Sequence, residues 1–541
     1  MFINFSDIPG HQNLFLDFLY EFDKVKNFYK HNFRNKEDYL KVFKNISESQ
    51  NINSAELSSI LESQYAQLKP SPKTQKNISL LKEKKTLAVV TGQQLGLLGG
   101  PLYTFYKIIT AIKLSNYLSE RYDDFQFVPI FWLEGDDHDF EEVSYLGLVN
   151  ENNEYVKIKY EDEVPEDENK GSVGKLKFNN TINKFFEELG KNLRATEYTN
   201  PLLDQLKGYY SEGKTFKQAF SDLLFSLFDE YGLVIFDPQD TKIKNLLKPV
   251  FKKEITDFRK HTEKLVNTSA TLEELYHAQV KIRPVNLFYS TSEGRYLIEP
   301  VENEFRLRRK RKKFTYDELI NLIDSEPEKF SANVLLRPVC QDYILPTAFY
   351  VGGPGEISYF AQALQLYSFY NIEQPIIYPR SSITLIEKSI SSLITKYGLN
   401  MPEIFASPDK VRDKVVESVA ETAINDVFNS ASTQIELTFD QLKEKLFELD
   451  KTISDASAKY RQKILNYVDE LKGKALEAQK KKHETTLRQV DKVTTHLFPN
   501  TSLQEREFNF IFYANKYGNN FTKLLFEELV INKFEHQVIN L

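Results

Sequence analysis

Four apolar residues, Leu87-Ala88-Val89-Val90, run straight into TGQQLGLLGGP, and the residues after that, LYTFYKIITAIKLSNYLS (102–119), repeat their apolar positions with a helical period. FVPIFWL (127–133) then supplies a second buried-strand signal, ending in EGDDHDFEE. Strand, glycine-rich turn, helix and strand in that order begin a right-handed βαβ unit. The expected fold is therefore α/β, with a Rossmann-like parallel sheet at its core. Ligands of such sheets bind outside the carboxyl ends of the strands. Both unusual loops, TGQQLGLLGGP and EGDDHDFEE, lie at such ends.

The rest of the chain can be placed around this unit. Residues 11–70 are helical, with Phe, Leu and Tyr on one face, and 145–200 are mixed, acidic and strand-poor, like an insertion. An amphipathic helix at 215–231 leads into the strand signal GLVIFDP (232–238), and 241–280 is helical again. A β-rich stretch at 281–300 precedes the basic run RLRRKRKKF (306–314). VLLRPVCQDYILPTAFYVGGPGE (334–356) and PIIYPRSS (375–382) are two further strand-then-loop signals. From Ile435 to Ala478 apolar or large residues recur at steps of three and four, the spacing of a coiled coil. Residues 432–496 read as one long helix or, preferably, as an antiparallel hairpin turning near 450–454. The tail, 500–541, is globular in character.

Composition excludes several classes. With 541 residues the chain has room for about three or four domains. Hydrophobic residues at 41% and charged residues at 27% exclude global disorder. A net charge of −7 argues against a general nucleic-acid binder. One cysteine, Cys340, cannot form an intramolecular disulfide and fits the reducing cytoplasm. It lies in an apolar context with no adjacent His or Lys, as a buried structural thiol does. No apolar stretch is long enough for a membrane span, and MFINFSDIPGHQ is not a signal peptide.

Several motifs could carry chemistry. Gly208 to Thr215, GYYSEGKT, matches a phosphate-binding P-loop in spelling, but the residues before it, NPLLDQLK, read as helix where that motif needs a strand. TGQQLGLLGGP has the strand and the helix, and amide groups at a helix start favour an anion; a tight structural turn is the alternative. In Asp136-Asp137-His138-Asp139 a carboxylate can fix the imidazole tautomer, and flanking carboxylates are expected to raise its pKa. The alternative there is an acidic helix start. Gly352-Gly353-Pro354-Gly355-Glu356 could cradle a carboxylate or phosphate, and Arg380 of PRSS could clamp a carboxylate with both of its forks. The basic run at 306–314 reads as a solvated loop, with phosphate or nucleic-acid contact as the alternative.

Taken together, TGQQLGLLGGPLYTFYK, FWLEGDDHDFEEV, LLRPVCQDYILPTAFYVGGPGEISYFAQ, YPRSS followed by TLIE, and LFPNTSLQER strongly resemble the bacillithiol biosynthesis cysteine-adding enzyme, in the same order over essentially the whole chain. The resemblance implies a Rossmann-like core related to class I aminoacyl-tRNA synthetases, with connecting-peptide insertions and a coiled coil that makes a homodimer. The implied divisions are 1–144, a first half of the core with N-terminal helices; 145–214, an insertion; 215–385, the second half with a further insertion near 281–330; 386–499, the coiled-coil domain; and 500–541, a segment packing on the core. The implied reaction joins the cysteine carboxyl to the amine of glucosaminyl-malate in the cytoplasm. Another synthetase-like amide ligase, a nucleotidyltransferase of the same fold, or a non-catalytic coiled-coil scaffold are the competing readings.

Amide formation needs an activated carboxyl, so the resemblance implies ATP or ADP as ligand, with Mg a candidate companion and no tightly bound metal. The HIGH and KMSKS signatures of class I synthetases are absent, and both adenylate and acyl-phosphate activation stay open. Within the resemblance, Thr91, Gly92, Gln93, Gln94, Gly99 and Gly100 would line the ligand site. Asp137, His138 and Asp139 would supply the base, and Gly352, Gly353, Gly355 and Arg380 would hold anionic parts of the substrates. Partners would be small molecules and a second copy of the chain, with no nucleic acid and no membrane.

Overall fold

In the computed structural model the apolar run at 87–90 lies inside a nine-residue strand, Thr86–Gln94 (β1), whose first seven residues are buried. Its helix, Leu102–Arg121 (α1), returns the chain to Gln126–Glu134 (β2), which pairs in parallel with β1 from Thr86↔Gln126 to Gln94↔Glu134. Val234–Phe236 (β3) adds beside β2. After the long helix Lys248–Leu275 (α2), Thr347–Gly352 (β4) pairs with the other edge of β1. The helix Pro354–Tyr370 (α3) and the strand Ile376–Pro379 (β5) complete the core. The order is β5-β4-β1-β2-β3, all parallel. The sheet grows one way from β1 through β2 and the other way through β4, so its topological crevice opens between β1 and β4 at their carboxyl ends.

The structure describes residues 1–541 except 50–51, 166–167, 420–423 and 519. These divide into two units, Met1–Leu385 with Ser502–Ile539, and Ile386–Thr501 with Asn540–Leu541. Two insertions sit in the first unit. One, expected to be strand-poor, opens with an antiparallel hairpin, Tyr145–Val149 against Tyr155–Lys159. The alternation in YVKIK is the strand signal there, since one buried side chain among exposed lysines suffices for a two-stranded ribbon. The other insertion is a five-stranded sheet built from Leu287–Thr291, Gly294–Val301, Glu304–Leu307, Lys313–Phe314 and Phe330–Ala332. The first part of 334–356 is not strand: Arg337–Ile344 is helical, with Pro338 in its first turn, and carries the buried Cys340.

In the second unit two helices, Ile424–Leu449 (α4) and Lys451–Leu497 (α5), form the hairpin. Asp450 breaks the run and caps α5, accepting from the amides of Thr452 (2.6 Å) and Ile453 (3.3 Å). The helices run antiparallel, as Arg461 reaches Asp440 (3.1 Å) and Lys472 reaches Asn429 (3.3 Å). Among the described residues, no helix is long and apolar enough to cross a membrane.

Candidate active site

A basin of about 1020 Å³ opens over the carboxyl ends of β1, β2 and β4, wholly within the first unit. Ten basic side chains and four carboxylates line it, in a chain whose net charge is −7. The cavity is thus a positive site in an acidic protein, and it favours anionic ligands.

Its centre is an ion pair that the sequence did not announce. Lys107 of α1 is 2% exposed and donates to the carbonyl of Gly92 (2.9 Å), to Oε1 of Gln93 (2.8 Å) and to the carboxylate of Glu356. Burial pulls its pKa down to about 8, although Glu356 acts the other way. Glu356, third residue of α3, turns back on its own helix start and accepts from the amide of Gly353 (2.8 Å) and the hydroxyl of Tyr350 (2.6 Å). Burial would raise its pKa, but Lys107 and these hydrogen bonds keep it below the usual carboxylate value.

Beside this pair, Glu134 ends β2 on the basin floor. It accepts from the indole N–H of Trp132 (3.2 Å) and lies 3.7 Å from Nε of Arg337. Burial pushes its pKa up to about 7; Arg337 opposes the shift, while Asp136 and Asp137 add to it. Arg337 is fixed by Tyr359 (3.0 Å), Tyr350 (3.3 Å) and Gln341 (3.0 Å).

The acidic cluster divides by function. Asp136 faces inward to Lys244 (2.6 Å) and Gln239 (2.8 Å). Asp137 lines the basin, accepting from Gln94 (2.5 Å) and from the amide of His138 (2.6 Å). Burial works against ionisation of Asp137, but these bonds and Arg295 hold its pKa down. His138 is half exposed, with Nδ1 at 3.3 Å from a guanidinium nitrogen of Arg295. The expectation of a raised imidazole pKa is corrected: burial and Arg295 lower it, and Asp137 and Asp139 do not compensate. Asp139 does not line the basin. It caps the short helix Phe140–Val143, accepting from the amide of Glu142 (3.1 Å), which is the helix-start reading.

The glycine-rich turn departs from the anion cradle expected of it. Thr91 is buried and donates to the carbonyl of Val351 (2.9 Å), tying β1 to β4. Gly99 and Gly100 adopt φ of +88° and +73°, open to glycine, and a Cβ at Gly99 would lie 2.7 Å from Phe105. The turn is closed from outside: Asn509 donates to the carbonyls of Leu97 (3.1 Å), Leu98 (3.3 Å) and Gly100 (2.8 Å). The first amide of α1, that of Leu102, bonds to the Phe508 carbonyl (2.9 Å) and is thereby taken from any anion. Thr91, Gly99 and Gly100 therefore shape the turn without facing the basin, whereas Gly92, Gln93 and Gln94 line it.

Gly353 and Gly355 also line the basin; Gly352 does not, and its carbonyl accepts from the amide of Arg380 (2.9 Å). Arg380 reaches the basin wall, but its fork is occupied by Glu505 (2.6 Å) and the Ser381 carbonyl (2.9 Å), which corrects its expected role as a free clamp. In the P-loop look-alike, helix precedes the loop, Lys214 pairs with Asp222 (2.7 Å), and Thr215 caps the next helix. The basic run is more than a solvated loop, because Arg308, Arg309 and Lys310 reach the basin from its hairpin. Cys340 is buried outside the basin, and burial raises its pKa. Among the described residues, no group of three or more His, Cys, Asp or Glu side chains could hold a metal ion.

Sequence reasoning missed Lys107, Glu134, Arg295 and Arg337. Only Lys107 carried a local signal: a lysine in a helix buried nearly all round needs a partner.

Comparison with known proteins adds to this geometry. Residues 1–381 match a family model described as bacillithiol biosynthesis BshC, N-terminal Rossmann-like domain, and residues 383–541 match the BshC C-terminal coiled-coil domain. A protein of Salinibacter ruber named "Putative cysteine ligase BshC" is 34% identical over 529 residues, covering 97% of this chain and 96% of its own length. A protein of the same name from Chloroherpeton thalassium is 36% identical, covering 95% of this chain and 93% of its own.

Proposed function

The chain belongs to the bacillithiol biosynthesis BshC family, and from that premise we propose that it is a ligase that forms an amide between the carboxyl of cysteine and the amine of glucosaminyl-malate. The observation that carries this reading is the cationic basin over the strand ends, with the Lys107–Glu356 pair and Glu134 at its floor. A nucleoside triphosphate, when bound, would supply the activation of the cysteine carboxyl. The residues fit such a polyanion: Lys107, Arg337 and the turn Gly353–Gly355 line the crevice between β1 and β4.

The amine nitrogen attacks the activated carbonyl carbon, the C–N bond forms, the bond to the activating group breaks, and one amine proton must leave. Glu134 is suited to accept that proton, because its pKa near 7 leaves it both ionised and basic at neutral pH. An imidazole that accepts from Arg295 through Nδ1 carries its proton on Nε2, so His138 acts as a hydrogen-bond donor that orients the acceptor. This moves the base from the Asp137-His138-Asp139 cluster to its neighbour on β2. A free thiol in substrate and product fits the reducing cytoplasm, where we place the reaction.

The second unit is proposed to hold a homodimer. On α5, Ile453, Tyr460, Ile464, Tyr467 and Leu471 are 40–70% exposed and follow one another at steps of seven, four, three and four. That is the seam of a coiled coil, and a second copy presents the same seam.

The test is direct: purified protein, cysteine, glucosaminyl-malate and ATP, with product followed by mass spectrometry. The expected result is a product that depends on all three small molecules. Absence of the amide with folded protein would sink the reading.

A further inference from the structure

The loop after β2 and the inserted sheet meet at His138, and a third segment, residues 169–174, lies between them and bonds to both. On one side the amides of Val173 and Gly174 donate to the carbonyls of Asp137 (2.7 Å) and Gly135 (2.9 Å), and Nζ of Lys170 sits 4.0 Å from the centre of the Phe140 ring. On the other side Asn169 exchanges two hydrogen bonds with the main chain of Arg295. Its Nδ2 donates to the carbonyl (2.8 Å) and its Oδ1 accepts from the amide (3.1 Å), the pair of bonds that a residue of a neighbouring strand would make. The same oxygen accepts from the amide of Gly171 (3.1 Å). The fit is close: Gly294 adopts a φ of +128°, and a Cβ there would collide with Asn169.

What this segment holds in place bears on which nitrogen of His138 carries the proton. Nδ1 lies between two groups with opposite demands. The guanidinium of Arg295, at 3.3 Å, donates to it and needs it bare; the carboxylate of Asp137, at 3.5 Å, can accept from it and needs it protonated. The charges acting on the ring are thus Arg295 from the inserted sheet and Asp137 and Asp139 from its own loop, while Arg309 lines the same two cavities as His138. The two distances are close, so a small retreat of Arg295 hands Nδ1 to Asp137. Arg295 is 6% exposed and its side chain is anchored at Ser331 Oγ (2.8 Å), at the Ala332 carbonyl (2.9 Å) and on the ring of Phe288. Those anchors belong to its own sheet; Asn169 is the one that ties its main chain to the segment bonded to the His138 loop.

We propose that Asn169 is a positioning residue: by pairing with the main chain of Arg295 it keeps the guanidinium on Nδ1 of His138, and so keeps the imidazole proton on Nε2. The use of that proton, to orient the amine-bearing substrate, rests on the ligase reading; its placement does not. Without Asn169 the inserted sheet loses its side-chain link to the His138 loop, and Asp137 takes over Nδ1. The neutral ring then gives up one proton at Nε2 and gains one at Nδ1 by exchange with water, and Nε2 turns from donor to acceptor.

The experiment is nitrogen NMR on the full chain with labelled histidine, the signals of His138 being those that His138→Gln removes from among eight histidines. Above the titration of the ring, the wild type should show Nδ1 bare and Nε2 protonated. Arg295→Gln defines the released state: Nδ1 gains proton occupancy, and the titration midpoint of His138 rises, because the cation opposing imidazolium is gone while Asp137 and Asp139 remain. Asn169→Ala should show both changes with Arg295 still in the chain. Asn169→Ser, whose side chain is too short to reach both main-chain groups, makes the same test if the alanine protein does not fold. A folded Asn169 variant with the wild-type tautomer and midpoint, however much stability it has lost, overturns the assignment, and so does an Arg295→Gln protein in which His138 is unchanged. Failure of the wild type to make an amide, with the expected spectra, would strike the ligase reading and leave the positioning role standing.

Discussion

A carboxylate with one indole N–H at 3.2 Å and one guanidinium at 3.7 Å, as Glu134 has, is under-supplied for a buried charge, and its pKa of about 7 follows. Below that pH it is protonated and cannot take the amine proton. The rate of amide formation should therefore fall about tenfold per unit below pH 7, and Glu134→Gln should lose both this limb and at least roughly a hundredfold in rate. Persistence of the limb in Glu134→Gln would assign it to another group. The same shift affects stability. A folded-state pKa above the unfolded value means a stabilising contribution that is present at low pH and lost as pH rises through about 7. At Lys107 the pair itself is at stake. Lys107→Met leaves Glu356 buried without its cation and should cost about 3–5 kcal/mol in urea unfolding, with part recovered by adding Glu356→Gln. Cys340 is the contrary case, a buried thiol whose raised pKa denies it a thiolate at neutral pH. Cys340→Ala should form product at the wild-type rate, and loss of turnover in folded protein would bring a covalent route back.

The turn between β1 and α1 shows how an element can look like a ligand site and be a joint. Its spelling, glycines between a strand and a helix start, is that of a phosphate loop, and nothing local distinguishes the two. What distinguishes them is Asn509, 409 residues beyond Gly100, whose amide takes up three of the turn's carbonyls. Asn509→Ala strands those carbonyls in the interior and should lower stability by about 1–3 kcal/mol, read as a shift of the urea midpoint. Unchanged stability would mean that water replaces the side chain. The hairpin of α4 and α5 is the reverse case, since its periodicity and the turn at Asp450 were both legible. Heptad spacing and a capping aspartate are local features that need no distant partner.

At the scale of the whole molecule the exposed seam on α5 carries the remaining prediction. Wild-type protein should sediment as a dimer at micromolar concentration, and Ile464→Lys with Tyr467→Lys should give a folded monomer, because each places a charge on the apolar seam. A wild-type monomer would refute the seam as an interface. The order of strands and helices in the core was readable from the chain, because buried parallel strands are short apolar runs and amphipathic helices repeat every 3.6 residues, both properties of neighbouring residues. The residues of the site were readable where they stand at or just beyond the carboxyl end of a strand, as Gly92, Gln93 and Gln94 do at β1, Asp137 and His138 at β2, and Gly353 and Gly355 at β4. Tertiary structure alone decided the rest: that Lys107 meets Glu356, that Arg295 fixes His138, that Glu505 occupies Arg380, and that a basic hairpin reaches the basin. Charge pairing and desolvation depend on which distant segments the fold brings within a few ångströms, and no local period encodes that.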